Sequence, residues 1–122
     1  MGSKILVIED DASNADVIKL ILENEDFQVM VIHRSKLLYS ALHEFEPDLI
    51  VMDIMLGDDD GRSLCFELKN NGNTRHIPIM LITALLDREV EAIRNNADLV
   101  MFKPFEYDKL AANVKNLLAV SY

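Results

Sequence analysis

The chain has 122 residues, of which 50% are hydrophobic and 27% charged, enough apolar matter for one globular core and too much for a disordered, collagenous or repeat protein. Its 12 basic and 21 acidic side chains leave a net charge of −9, which argues against direct binding to nucleic acid. A single cysteine, early charges at Lys4, Glu9 and Asp10, and the lack of a long apolar run point to the reducing cytoplasm and away from membranes.

In chain order, Ile5–Ile8 is the first of five short runs that are apolar nearly throughout, the pattern of strands buried on both faces. Val17, Ile18, Ile21 and Leu22 then recur at helical spacing, with Asp11 or Ser13 placed near the helix start. The second run, Phe27 to Ile32, leads to a helix carrying Leu37, Leu38, Ala41, Leu42 and Phe45, opened near Ser35 and closed by Pro47. Leu49–Met52 is the third strand, and Leu64, Cys65 and Leu68 mark a third helix that stops at the Asn70-Asn-Gly-Asn73 cluster. A fourth strand, Ile77 to Ile82, precedes a helix near Asp87 with Val90 and Ile93 inward. The fifth, Leu99–Phe102, precedes one with Leu110, Val114, Leu117 and Leu118. Five β–α repeats with right-handed crossovers predict one α/β domain over residues 1–122, a doubly wound parallel five-stranded sheet between two helical layers.

Ligands of such sheets sit at the carboxyl ends of the strands. Those ends carry Glu9, Asp10 and Asp11, then Asp53, then Thr83, then Lys103 and Pro104. Clustered carboxylates repel one another unless a hard cation such as Mg2+ bridges them. A lysine and a threonine hydroxyl beside that cation can hold phosphoryl oxygens, and an aspartate can accept the phosphoryl group covalently.

The segments Ile5-Leu-Val-Ile-Glu-Asp-Asp11, Pro47-Asp-Leu-Ile-Val-Met-Asp53, Ile54-Met-Leu with Gly61 following, Ile79-Met-Leu-Ile-Thr-Ala84 and Lys103-Pro-Phe105 stand in order along the chain. Together they resemble the receiver domain of two-component response regulators, the CheY-like superfamily, over essentially the whole length. The resemblance implies a flavodoxin-like (βα)5 fold with strand order 2-1-3-4-5. It implies Asp53 as the phosphoacceptor that becomes 4-aspartylphosphate, with Asp10 and Asp53 as direct ligands of Mg2+. Glu9 would act on the metal through water, and the backbone carbonyl of Met55 would be a further ligand. Thr83 would be the switch hydroxyl and Lys103 the phosphate partner, joined to Pro104 by a cis bond.

The implied partner is a sensor histidine kinase or a histidine phosphotransfer protein. Output would pass through the last two helices and the fifth strand to an output domain, a downstream protein or a phosphorylation-linked dimer. Such a domain is no conventional enzyme, yet it catalyses its own phosphorylation and dephosphorylation. Asp11 falls outside the matched acids and is expected to cap the first helix.

Three positions depart from the family's common pattern. Gly57 stands where a proline usually follows the acceptor by four, which loosens the loop before the third helix. Asn96 replaces a frequent glycine, and Val100 stands where a Tyr or Phe often moves with the switch hydroxyl; Phe102 is a candidate replacement. Apolar Met55 and Leu85, two positions past Asp53 and Thr83, offer nothing to orient water, so slow autodephosphorylation is expected. Plainer roles fall to the rest: Asp58–Asp60 as a solvated loop, Met30, Met52, Met80, Met101 and Cys65 as core, and His33, His43 and His76 as surface or packing residues. Tyr107 and Phe105 are open between packing the last helix and facing a partner. The rival class is a phosphorylation-independent pseudo-receiver, an interaction module on the same fold. A flavin or nucleotide carrier fits less well, since G-x-G-x-x-G and Walker motifs are absent.

Overall fold

The computed structural model describes residues 2–57, 59–104 and 106–120. Along the chain lie β1 (Lys4–Ile8), α1 (Ala12–Glu23), β2 (Gln28–Ile32), a 3-10 turn (Ser35–Leu37), α2 (Leu38–Phe45), β3 (Leu49–Asp53), β4 (Met55–Leu56), β5 (Asp59–Asp60), α3 (Gly61–Lys69), β6 (Ile79–Thr83), α4 (Asp87–Glu91), β7 (Leu99–Phe102) and α5 (Tyr107–Val120). The five longer strands form one parallel sheet in the order β2-β1-β3-β6-β7, which is the expected order 2-1-3-4-5. β4 and β5 are an unforeseen addition, a two-residue antiparallel ribbon between β3 and α3.

Alternation along each strand splits the core in two. Leu6, Ile8, Ile50, Met52, Ile79 and Leu81 pack with Leu38, Cys65, Leu68 and Val90 on one face. Ile5, Val7, Leu49, Val51, Met80 and Ile82 pack with Ile18, Leu22, Leu110 and Val114 on the other. Burying a side chain of this size stabilises by roughly 1.5–3 kcal/mol, so the central strands anchor the edge that carries the site. Burial also pushes the Cys65 thiol up to about 12, in keeping with a core role.

Several expectations need correction. Val17 and Leu37 point outward, 56% and 44% exposed; Ala15 takes the inner place on α1, and Leu37 falls in the turn before α2. Ile93 lies beyond α4, which spans only Asp87–Glu91. β2 starts at Gln28, and β6 starts after Pro78, which has no N–H to give the ladder; Ile79 N–H donates instead to Asp98 at 2.8 Å. Asp11 caps α1 as expected, accepting the Asn14 N–H at 2.9 Å. Ser35 caps nothing; its hydroxyl donates to Asp59. Asp87 lies in the first turn of α4, whose N-cap is Leu86, and a leucine side chain accepts no hydrogen bond; Glu89 instead accepts the Leu86 N–H at 2.9 Å. Asn96 adopts φ +56, the left-handed geometry that asparagine tolerates. Among the described residues no helix is long and apolar enough to cross a membrane.

Candidate functional site

The carboxyl ends of β1, β3, β6 and β7 meet at one edge, where β1 delivers Glu9 and Asp10, β3 Asp53, β6 Thr83 and β7 Lys103. Glu9 follows β1 fully buried, its N–H bonded to the Ile32 carbonyl at 3.1 Å and its own carbonyl 2.9 Å from His33 Nδ1. Asp53 closes β3 at 5% exposure. Carboxylate oxygens of Glu9, Asp10 and Asp53 all lie within 4.8 Å of one another, with Asp10 open to solvent. Lys103 Nζ reaches between them, donating to Asp53 Oδ2 at 2.8 Å and to Glu9 Oε1 at 3.3 Å. The other Asp53 oxygen, Oδ1, accepts the Met55 N–H at 2.9 Å.

One ammonium does not balance three carboxyl groups. Burial first, then the hydrogen bond and charge of Asp53, push Glu9 up to about 7 against the pull of Lys103. Burial alone would lower Lys103, but the hydrogen bond and charge of Asp53, with those of Glu9, outweigh it and hold the ammonium above its ordinary range. Three converging hard oxygens with unneutralised charge are what a small divalent cation requires.

Thr83 ends β6 fully buried, one position past Ile82, the register partner of Asp53. Its Oγ1 accepts the Leu85 N–H at 2.9 Å, which leaves the hydroxyl proton to donate. Lys103 N–H bonds to the Thr83 carbonyl at 2.7 Å, locking the ends of β6 and β7 together, and the Lys103–Pro104 bond is cis. The Met55 side chain is 60% exposed, whereas Leu85 is half-buried against the core beneath α4. Val100 and Phe102 share the face toward Val90, with Phe102 at 39% exposure beside Lys103. Tyr107 accepts a hydrogen bond from Asn24 at 3.0 Å, packing α5 against the end of α1; Phe105 lies outside the described residues.

The loop after Asp53 is more ordered than a run of solvated acids suggests. Asp60 caps α3 through the Arg62 N–H at 2.8 Å and also holds the Arg62 side chain, Nη2 to Oδ2 at 2.6 Å and Nε to Oδ1 at 3.0 Å. These bonds keep the Asp60 carboxyl below its ordinary range. Asp59 accepts the Ser35 hydroxyl, and Asp58 lies outside the described residues. A Cβ on Gly61 would lie 2.4 Å from the Asp53 carbonyl oxygen, so only glycine lets α3 start against the end of β3. Gly57 takes φ +71, a conformation closed to proline. Asp60 directly before a helical period was the signal for the cap. Nothing in the sequence pointed to the Arg62 side chain.

Residues 5–115 match the family model described as the response regulator receiver domain. The DNA-binding response regulator MtrA of Mycobacterium tuberculosis is 33% identical over 117 residues, 94% of this chain and 50% of its own. The transcriptional regulatory protein GltR of Pseudomonas aeruginosa is 34% identical over 119 residues, 96% of this chain and 49% of its own. The chain thus spans about half the length of the curated relatives it matches. Among solved structures, the receiver domain of a signal transduction histidine kinase from Syntrophus aciditrophicus superposes with a TM-score of 0.90 at 32% identity, covering 98% of this chain and 92% of that one. The receiver domain of the Pseudomonas aeruginosa sensor kinase PA1611, which holds a magnesium ion in its active site cleft, shares the fold at a TM-score of 0.88 and 24% identity over 98% of this chain and 99% of that one. The family match runs from β1 into α5 and takes in every residue of the acidic edge, with the same strand order around it, and the chain belongs to the response regulator receiver domains of two-component systems.

Proposed function

We propose that this chain receives a phosphoryl group on Asp53 from the phosphohistidine of a sensor histidine kinase or a histidine phosphotransfer protein. The observation that carries this reading is the buried Asp53 carboxylate, bonded to Lys103 at 2.8 Å beside Glu9 and Asp10, all at the sheet edge. An Asp53 oxygen attacks phosphorus in line with the P–N bond; the P–O bond forms as P–N breaks, and the imidazole nitrogen departs with its electron pair. Lys103 is placed to follow the charge from the carboxylate to the equatorial phosphoryl oxygens, and the Thr83 hydroxyl proton supplies a second donor. Asp10 and Asp53, with Glu9 through water and the Met55 carbonyl, would hold Mg2+, which when bound neutralises the carboxylates and stabilises charge on the transferring group.

The charge of Asp53 then rises from one negative to about two, which biases an existing equilibrium of the Thr83 and Lys103 region and the face of α4, β7 and α5. An output domain or a separate protein reads that face, in the cytoplasm. Mg2+-dependent uptake of phosphate from a small phosphodonor should occur in the parent and vanish in Asp53→Asn; hydroxylamine-sensitive phosphate retained by the variant would overturn the assignment. A pseudo-receiver would show the same partner affinity with and without beryllofluoride and Mg2+.

A further inference from the structure

Every nitrogen of the Arg62 guanidinium is engaged, and its side chain is 11% exposed although it stands in the first turn of a surface helix. Nε and Nη2 form a fork on Asp60, at 3.0 and 2.6 Å, while Nη1 donates to the backbone carbonyl of Glu89 in α4. On the other side, Asp60 is paired with Met55 across the β4–β5 ribbon, and the Met55 N–H sits on Asp53 Oδ1 at 2.9 Å. The Gly61 N–H closes the same loop on the Ile54 carbonyl at 2.7 Å. Fixed groups therefore run without a gap from the Asp53 carboxylate to α4. At the far end α4 is weakly held: it has five residues, Val90 is its one buried residue, and its N-cap has no side-chain acceptor.

We propose that Arg62 is a positioning residue that ties the Asp53 loop to α4, so that a change of state at Asp53 moves that helix. The proposal rests on the phosphoacceptor reading of Asp53. Phosphorylation of either Asp53 oxygen removes carboxylate charge from the bond to Met55 N–H, and the new phosphoryl oxygens compete for that amide. The ribbon, its Asp60 and the rigid guanidinium fork then shift as a unit, and the Glu89 carbonyl follows. The planar fork is essential: a lysine offers a point charge that cannot hold the Asp60 carboxylate at two oxygens and the Glu89 carbonyl at once.

The test is amide NMR of the parent, Arg62→Ala and Arg62→Lys, each before and after Mg2+ with beryllofluoride. In the parent, the amides of Met55, Thr83, Val90 and Glu91 should all move. In both variants Met55 and Thr83 should still move, while the displacement of Val90 and Glu91 falls at least about twofold. Arg62→Lys keeps the charge and helix propensity, and so reports even if Arg62→Ala is poorly folded. Full-sized displacements at Val90 and Glu91 in the variants, with a responsive parent, would overturn the role of Arg62 alone. A parent whose Met55 and Thr83 amides stay in place would instead overturn the phosphoacceptor reading.

Discussion

Burial, then the hydrogen bond and charge of Asp53, keep the proton on Glu9 up to about pH 7 against the pull of Lys103, which donates to Asp53 at 2.8 Å and to Glu9 at 3.3 Å. The fold raises Glu9 above its ordinary 4.5, so its contribution to the stability of the metal-free chain is complete below that value and is lost as pH rises through about 7. A cation that requires the carboxylate must displace that proton. Mg2+ affinity should therefore rise with pH, by up to about tenfold per pH unit below 7 for one released proton, and level off above it. Mg2+ titrations at several pH values on either side of 7 check this, and a flat affinity would contradict it. A second single-residue consequence concerns Gly61, where a methyl group would meet the Asp53 carbonyl at 2.4 Å and the Ile54 Cα at 2.9 Å. Gly61→Ala should cost roughly 1–3 kcal/mol by forced backbone shifts and should weaken Mg2+ binding; an unchanged denaturation midpoint would refute the close packing.

At the scale of elements, the β4–β5 ribbon changes the meaning of Gly57. Proline there, the commoner family choice, would demand φ near −65°, against the observed +71. Gly57→Pro should lower the thermal midpoint despite its entropic advantage in the unfolded chain, and a raised midpoint would show that the turn is not needed. Just before it, Met55 is 60% exposed beside Asp53 while Leu85 is half-buried against the core. Met55→Asn is thus the cleaner test of phosphate lifetime: it should shorten it several-fold by giving hydrolytic water a hydrogen-bond partner, and an unchanged lifetime would remove that argument. The strands and their ends were legible because apolar runs stop where polar groups meet the edge, which placed Glu9, Asp53, Thr83 and Lys103 before any contact was known. The ribbon was not, since Asp58–Asp60 reads as a charge run, and the Arg62 contact joins residues 27 positions apart by a side-chain direction that no period encodes. The face of α1 misled for another reason: its apolar stripe is wider than the surface it buries, and Val17 and Leu20 are left outside.

For the whole molecule, the excess of acid divides by function. Seven of the acids fall in two stretches of sequence, Glu9 to Asp11 and Asp53 to Asp60, and without them the net charge falls from −9 to −2. Among the described residues of this set, Glu9, Asp10 and Asp53 bring carboxylate oxygens within 4.8 Å of one another; Asp11 and Asp60 cap helices, and Asp59 holds Ser35. The acidic end is therefore a compact three-carboxylate site within a rim of structural acids, set on a sheet whose opposite faces are packed by α1 and α5 and by α2, α3 and α4. Val100, packed against the core beneath α4, leaves that face without the family's common aromatic, and Phe102, cross-strand from Thr83, is the nearest ring to the site along β7. The most direct measurement is peptide mapping of the intact chain after incubation with a small phosphodonor and Mg2+. One acyl phosphate should appear, on the peptide bearing Asp53, and should be absent when Mg2+ is chelated; no phosphate, or phosphate on another residue, would contradict the account.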